Sequence, residues 1–298
     1  MRPSYLHRIT LRQIEIYLAV SRLRSYSRAA EELALTQPAV SAQMRQLEQL
    51  TGEMLFEYRS KQLHITRAGQ ALERAARDMQ QRLVGVEMEL AELRGEIKGT
   101  LSIAIESSAQ YFMPELLAGF SQQFPQVQIN LEVGNRASAL KRLLDNRHEL
   151  VITCSPPEDR SIQFTPFREN QLIIVAWPDH PLRDHKGIPF AALAKETFLI
   201  REPGSGTRLI LDELFGQAAV QPKATHQLGS SEALIAGARN RLGVALLPID
   251  SCATELAEKK LITLNIANHP IRRSWCILHR RNQPLTPVCE QFKLLITR

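Results

Sequence analysis

Long hydrophobic runs are missing from this 298-residue chain. No stretch approaches the roughly 20 apolar residues that a transmembrane helix needs. The first residues, Met1–Ser4, are not followed by the apolar core of a secretory signal peptide. We therefore expect a cytoplasmic protein that has no membrane partner.

Metal-binding and catalytic motifs are also missing. The eight histidines show no metal-ligand spacing, and the four cysteines are too far apart for a zinc or redox motif: Cys154, Cys252, Cys276 and Cys289. The chain has no Gly-x-Ser-x-Gly elbow, no phosphate loop ending in Gly-Lys-Ser/Thr and no Cys/His pairing suited to nucleophilic catalysis. We expect buried, reduced thiols, no metal, no cofactor and no enzymatic activity.

Positive charge is concentrated near the start of the chain. The net charge is +6, and residues 1–69 hold 10 Lys/Arg against 6 Asp/Glu. Residues 70–98 hold 5 against 6, and residues 99–298 hold 22 against 19. A basic surplus in one compact segment is what contact with DNA phosphates requires.

The basic segment has the pattern of a DNA-reading domain. Apolar residues recur at helical spacing over Leu11–Leu23, and Ser25 or Ser27 can cap a second helix. Thr36 can cap a third helix, with Pro38 in its first turn, where a missing N–H is tolerated. The third helix has an inward stripe of Val40, Met44, Leu47 and Leu50.

A basic hairpin follows these helices. Residues 55–66 alternate weakly about a turn at Ser60 and Lys61, which places Arg59 and Lys61 at the tip. Helices, turn and hairpin together predict a winged helix-turn-helix, with the third helix entering the major groove. The alternative is a small helical domain with a solvated basic edge.

The next segment predicts one long helix, from Arg67 to about Lys98, because it contains no proline. Its apolar residues alternate in steps of four and three, at Leu72, Ala76, Met79, Leu83, Val86, Leu90, Leu93 and Ile97. This is a coiled-coil seam, and a helix of roughly 45 Å is too long for a small domain to cover. The alternative is a helix packed on its own domain.

After Gly99, short apolar strands alternate with helices, which is typical of an α/β domain with a largely parallel core. Strands are predicted at 101–105, 127–133, 150–153, 172–177, 198–200, 244–247 and 275–278. Helices are predicted at 112–124, 137–146, 207–219, 231–240 and 288–296.

The first segment resembles the amino-terminal domain of LysR-type transcriptional regulators. The motifs that carry the resemblance are Leu11–Ile14, Ser27–Leu33, Thr36–Ser41, Leu47–Glu48, Leu55–Phe56 and Thr66–Gly69. It implies operator DNA as a partner, bound by a dimer or tetramer. The candidate DNA contacts are Ser27, Gln37, Pro38, Ser41, Arg45, Arg59 and Lys61. The candidate dimerisation residues are Leu72, Met79, Leu83, Val86, Leu90 and Leu93.

Residues 99–298 resemble the effector-binding domain of the same family, which has two lobes like a periplasmic binding protein. The expected fold class is thus α/β overall, with an N-terminal winged helix-turn-helix (1–69), a linker and dimerisation helix (70–98) and a two-lobed α/β effector domain (99–298). Lobe I is expected to comprise 99–166 and 270–298, and lobe II 167–269.

Three segments should line the cleft between the lobes: Ser107–Gln110, Glu202–Arg208 and Gly229–Ser231. Hydroxyls, helix N–H groups and nearby arginines (Arg136, Arg201, Arg208) favour an anionic ligand. The serines can instead be simple helix caps, Gly-Ser-Gly a simple turn, and Arg208 the partner of a surface acid. Glu106 would repel an anion unless its side chain points away.

The candidate effector contacts are Ser107, Ser108, Gln110, Asn135, Arg136, Cys154, Gly204, Ser205, Thr207, Arg208 and Ser230. Further motifs are similar to the subgroup that controls carbon-fixation (Calvin-cycle) operons: Ser107–Pro114, Val133–Arg136, Pro156–Asp159 and Glu202–Arg208. This similarity implies a phosphorylated metabolite as effector, and RNA polymerase is a further candidate partner. Thr153–Ser155 departs from the expected glycine-containing turn. The alternatives are a regulator of another pathway, a ligand-independent DNA-binding protein or an enzyme.

Overall fold

A computed structural model describes residues 5–298. The chain divides into two compact units between Glu87 and Met88. Each unit has a hydrophobic core of its own.

The first unit begins with three helices, α1 (Leu11–Leu23), α2 (Tyr26–Glu32) and α3 (Gln37–Thr51), after a 3-10 turn at Leu6–Arg8. Each helix is capped by its preceding hydroxyl residue. Thr10 accepts the Gln13 N–H at 3.2 Å, Ser25 accepts the Arg28 N–H at 3.3 Å, and Thr36 accepts the Ala39 N–H at 3.4 Å. These caps satisfy N–H groups that have no partner within the helix. The predicted starts of all three helices are confirmed.

The core of the first unit contains the predicted stripe of α3. Val40, Met44 and Leu47 are buried, whereas Leu50 is only half-buried. Tyr17 of α1 is fully buried, and its hydroxyl donates to the Gly69 carbonyl at 2.6 Å.

The predicted wing is confirmed. Strands β1 (Phe56–Arg59) and β2 (Gln62–Ile65) pair antiparallel. Ser60 and Lys61 form the turn, with φ values of 49° and 63°. Two successive left-handed residues match the twist of a two-residue hairpin.

The long helix α4 runs over Arg67–Glu92 and is six residues shorter than predicted. Gly95 adopts φ 79° and donates its N–H to the Glu92 carbonyl at 2.8 Å. A left-handed glycine just past the last turn is a common helix C-terminus. The predicted seam residues Leu93 and Ile97 therefore lie beyond the helix. Leu93 is 84% exposed, and Ile97 packs against the core of the second unit.

Leu72 differs from its predicted role as well. It packs, half-buried, against the core of the first unit beside the fully buried Ala76. The first turns of α4 thus belong to their own domain, as the alternative interpretation held. The remaining seam residues are exposed on the helix: Met79, Leu83, Val86 and Leu90.

The second unit contains two α/β lobes. The first has parallel strands β3 (Gly99–Glu106), β4 (Val127–Gly134) and β5 (Leu150–Thr153). Its helices are α5 (Met113–Gln123), α6 (Arg136–Leu144) and the C-terminal α10 (Pro287–Ile296).

The second lobe has parallel strands β7 (Thr197–Ile200), β8 (Ala224–Gln227) and β9 (Val244–Pro248). Its helices are α7 (Gly206–Ala218), α8 (Ser231–Arg239) and the short α9 (Ala253–Ala257). A two-residue strand, β10 (Ile262–Thr263), and a 3-10 helix at Phe190–Lys195 complete it.

Two long antiparallel strands join the lobes, β6 (Ile162–Ala176) and β11 (Ile271–Arg280). They give a continuous sheet order β4-β3-β5-β11-β6-β9-β7-β8, with β10 paired to β6. Only parts of both strands were predicted, because their exposed halves lack the apolar signal of the buried halves. Ile271 opposes Leu172, and β11 changes register between Trp275 and Cys276. From Cys276 to Leu278 β11 also pairs with β5 of the first lobe.

Candidate DNA-binding surface and effector cleft

Helix α3 presents a polar row beside its buried stripe. Gln37, Ser41 and Arg45 follow one another at intervals of four residues, which places them on one helix face. Gln37 Nε2 donates to Ser41 Oγ at 2.8 Å. Arg45 and Pro38 are exposed. This face offers amide, hydroxyl and guanidinium groups, which are the groups that read base edges and bind phosphates.

A groove of about 810 Å³ lies between α2 and the wing. Of the candidate DNA contacts it brings together Ser27, Gln37 and Lys61. Arg59 is the last residue of β1 in the wing, and its guanidinium pairs with the Glu57 carboxylate at 2.7 Å. The groove, which we call the basic groove, also contains Arg24 and Arg28.

Arg24 and Arg28 were not among the predicted contacts. Arg24 ends α1 in a left-handed conformation, and Arg28 lies one residue after Ser27 in α2. Their closeness to Ser27 in sequence was a signal that could have identified them.

The predicted effector cleft lies where strands β3 and β7 end. Ser107–Tyr111 directly follow β3, and Arg201 directly follows β7. Ser107–Tyr111 form a short 3-10 helix, and α5 begins at Met113, one residue after its predicted start. Pro114 has no N–H to donate, so it suits the first turn of the later helix.

Arg201 connects the two lobes at this point. Only 3% of the residue is exposed. Its Nη1 donates to Ser231 Oγ at 3.1 Å, and its Nη2 donates to Ser107 Oγ across the cleft at 3.3 Å. Its Nε pairs with Glu202 at 2.8 Å. Burial acts to raise the pKa of Glu202, but the hydrogen bonds from Arg201 and Asn135 hold that pKa below its usual value.

A second contact between the lobes involves Glu232 in the first turn of α8. Gln110 Nε2 and the Tyr111 hydroxyl both donate to Glu232 Oε1 at 2.7 Å. Burial acts to raise the pKa of Glu232, yet the hydrogen bonds it accepts hold that pKa below its usual value. Burial and the neighbouring carboxylate raise the pKa of Tyr111.

Asn135 and Gly204 form a third contact between the lobes. Asn135 caps α6 by accepting the Ser138 N–H at 2.9 Å, and its Nδ2 donates to Glu202 Oε1 at 3.3 Å. The Gly204 carbonyl accepts the Ala137 N–H at 3.0 Å. Gly204 has φ 91°, which favours glycine.

The start of α7 faces the first lobe. Ser205 and Thr207 are both buried. Glu106 does not point away from the cleft. A Cβ added at Gly206 would overlap Glu106 Oε1, so this carboxylate lies against the first turn of α7.

Three candidate effector contacts have hydrogen-bond partners within their own lobes. Arg136 Nε donates to the Ser155 carbonyl at 2.6 Å. Arg208 Nε donates to both carboxylate oxygens of Asp212 at 2.8 Å, as the alternative interpretation held. Ser230 caps α8 by accepting the Ala233 N–H at 3.1 Å.

Cys154 is buried beside Glu106 and donates its backbone N–H to Glu106 Oε2 at 3.3 Å. Burial, together with the adjacent Glu106 carboxylate, raises the pKa of the Cys154 thiol. A thiol of this kind stays protonated and has little nucleophilic character.

Arg201 was placed within reach of the cleft but was not counted among the predicted contacts. Ser231 likewise lay in a predicted cleft segment without being counted among the contacts, whereas Tyr111 and Glu232 were not predicted. The position of Arg201 directly after a buried strand was the available signal, since ligands in α/β folds bind at strand carboxyl ends.

Residues 5–298 contain no group of three His, Cys, Asp or Glu side chains that could hold a metal ion. Within the same range no helix is both long and apolar enough to cross a membrane.

Two segments of the chain, which together cover most of it, match known protein families. Residues 11–70 match the bacterial regulatory helix-turn-helix protein of the lysR family, and residues 94–298 match the LysR substrate binding domain. The chain therefore belongs to the LysR family of DNA-binding transcriptional regulators, and these regulators are not enzymes.

The chain is similar along nearly its whole length to regulators of one kind. It is 39% identical over 283 residues to the RuBisCO operon transcriptional regulator of Acidithiobacillus ferrooxidans, covering 95% of this chain and 92% of that one. It is 38% identical over 285 residues to the protein of the same name from Allochromatium vinosum, covering 96% and 94%.

A solved structure resembles the second unit. It is the regulatory domain of Synechocystis PCC6803 CcmR in complex with 2-PG, with a TM-score of 0.64 and 34% identity. The match covers 67% of this chain and 96% of that one.

Proposed function

We propose that this chain regulates transcription of a carbon-fixation operon in response to a small anionic metabolite. The observation that carries the proposal is the buried Arg201 guanidinium at the junction of the two lobes. The names of the relatives support the target, since two proteins similar over 95% or more of this chain are RuBisCO operon regulators. Control of another pathway remains the second candidate, favoured by the Thr153–Ser155 turn and by the Glu106 carboxylate in the cleft.

Arg201 is the best candidate to bind the anionic group of the effector. It is fixed by Glu202 on one side and by two hydroxyls, of Ser107 and Ser231, on the other. Hydrogen bonds between a charged group and its partner contribute roughly 1.5–3 kcal/mol each. A ligand that is phosphorylated, as 2-phosphoglycolate in the CcmR complex is, can accept from the guanidinium and from the hydroxyls together.

The effector should act on DNA binding through lobe closure. A ligand at Arg201 contacts both lobes and therefore favours their closed arrangement. Closure would change how effector domains pack within a dimer or tetramer, and so change the spacing of the reading heads on DNA. Operator DNA, a second copy of the chain, the effector and RNA polymerase are the proposed partners. A regulator of chromosomal genes acts in the cytoplasm.

Binding of the full chain to the promoter region of the carbon-fixation operon tests this function. We expect specific binding, and a footprint that changes in length or bend when a phosphorylated carbon-fixation intermediate is added. Calorimetric titration with the same compounds should show saturable binding. An unchanged footprint together with saturable ligand binding would exclude the closure mechanism, and equal affinity for unrelated DNA would exclude the assigned target.

A further inference from the structure

Glu106 is a buried carboxylate at the end of β3, with 1% of the residue exposed. One oxygen is well bonded: Oε2 accepts the Thr153 hydroxyl at 2.7 Å and the Cys154 N–H at 3.3 Å. The other oxygen, Oε1, has no hydrogen-bond donor among residues 5–298. Burying such an acceptor without a donor is unfavourable.

The oxygen without a donor, Oε1, faces the second lobe. A Cβ at Gly206 would overlap Oε1 and would lie 3.0 Å from Oε2, so the carboxylate touches the first turn of α7 in the opposite lobe. The partial positive charge of a helix N-terminus attracts an anion. In this chain the first turn of α7 faces the carboxyl group of Glu106.

Another buried polar atom near Glu106 shares this feature. Ser108 Oγ is buried and has no hydrogen-bonding partner in the described part of the chain. Ser108 is two residues from Glu106 in the sequence. Glu106 Oε1 and Ser108 Oγ are therefore an acceptor and a hydroxyl to which a polar ligand can bond.

The Arg201 guanidinium and the Glu106 carboxyl group are held by different residues. Arg201 is held by Ser107 and Ser231, whereas Glu106 is held by Thr153 and Cys154. A ligand bound to Arg201 through its anionic group would meet Glu106 with its other end. A second anionic group at that end would be repelled by the carboxylate, and a hydroxyl would donate to Oε1.

We propose that Glu106 determines effector specificity, selecting a phosphorylated polyol or sugar over a ligand that is anionic at both ends. This rests on the proposed function, because it assumes an anionic group at Arg201. It assigns to Glu106 a role that differs from that of Arg201. Arg201 binds the anionic group of the ligand, and Glu106 favours a hydroxyl over a second anionic group at the other end of the ligand.

The proposal is tested by comparing the affinities of the protein for two small phosphate esters of similar size. Glycerol 3-phosphate has hydroxyls where 2-phosphoglycolate has a carboxylate. The full-length wild-type protein, titrated calorimetrically, should bind glycerol 3-phosphate at least tenfold more tightly than 2-phosphoglycolate. Glu106→Gln removes the charge and keeps the shape, so it should strengthen 2-phosphoglycolate binding tenfold or more and abolish the preference.

Glu115→Gln is the matched control, because Glu115 is an exposed carboxylate in the first turn of α5. It should leave both affinities within twofold of wild type. If Glu106→Gln does not fold, Glu106→Ala should give the same loss of preference, since it also removes the charge.

The outcomes separate the inference from the proposed function. Binding of both esters with the same preference in wild type and Glu106 variants would overturn the role of Glu106 and leave the anionic effector standing. A wild-type preference for 2-phosphoglycolate would also overturn it. If neither wild type nor any variant binds either ester or any phosphorylated intermediate, the proposed anionic effector is wrong, and the specificity role falls with it.

Discussion

Arg201 Nη2 lies 3.3 Å from Ser107 Oγ, and this hydrogen bond joins residues that are 94 positions apart in the sequence. It places a buried cation where the second lobe faces the first. An effector that carries an anionic group has a bonding partner here that reaches both lobes.

Arg201→Gln should therefore weaken binding of phosphorylated ligands by roughly 10- to 100-fold, the equivalent of losing one or two charge-assisted hydrogen bonds. Calorimetric titration measures the loss. Arg239→Gln is the matched control, because Arg239 is an exposed arginine in the last turn of α8, at the end of the helix opposite Ser231. Equal losses in both variants would contradict the assignment, and circular dichroism would check that each remains folded.

Arg45→Ala should weaken operator binding about tenfold while leaving folding and effector binding unchanged. Arg45 is exposed on the face of α3 that also carries Gln37 and Ser41, so the change removes a contact without opening the core. Fluorescence anisotropy with labelled operator measures the loss. Gln49→Ala, an exposed change near the other end of α3, should have little effect, and loss of the folded state in Arg45→Ala would refute the assignment.

Leu83→Asp should shift the protein toward monomers. Leu83 is 47% exposed on α4, within the row of Met79, Val86 and Leu90. A carboxylate in a paired apolar seam would be desolvated without a partner. Analytical ultracentrifugation measures the change in mass.

Leu93→Asp is the control for the seam. Leu93 belongs to the same sequence pattern but lies beyond the end of α4, so we expect an unchanged oligomer. If Leu93→Asp dissociates the oligomer as strongly as Leu83→Asp does, the seam continues past the end of α4.

His148 should make the second unit less stable in acid. Burial, aided by the charge of Arg142, lowers the pKa of His148 from 6.5 to about 4. Between these values the unfolded chain binds a proton that the folded chain does not, so stability falls as the pH falls from about 6.5 to about 4. The full loss from this group is about 3 kcal/mol.

Calorimetric unfolding of the full chain across this pH range measures the effect. His148→Gln should reduce the dependence on pH, whereas His226→Gln, an exposed change in β8, should preserve it. An identical pH profile for His148→Gln and wild type would assign the acid sensitivity to other groups.

The starts of α1, α2 and α3 and the hairpin of the wing could be predicted from the sequence alone. Thr10, Ser25 and Thr36 cap helices by accepting N–H groups three residues ahead, and the wing turns at two adjacent residues. These are local interactions, so the sequence contains all the atoms that decide them. The alternation of buried strands and helices predicted the α/β domain for the same reason.

The end of α4 and the full lengths of β6 and β11 could not be predicted from the local sequence pattern. The apolar spacing of α4 continues to Ile97, but the chain leaves the helix after Glu92 because Gly95 turns and Ile97 packs into the core of the second unit. The exposed halves of β6 and β11 form strands through pairing with each other, which no single segment reveals.

The sequence by itself determined the family, the order of domains and the chemical kinds of residue near the cleft, because those depend on local spacing and composition. Tertiary structure decided which of the charged residues face one another. Arg208 pairs with Asp212, four residues away. Arg201 instead donates to Ser107 of the first lobe, and the Glu106 carboxyl group lies against Gly206 of the second lobe. Contacts between residues about 100 positions apart depend on how two lobes fold over shared strands, and that geometry decides which side chains meet a ligand.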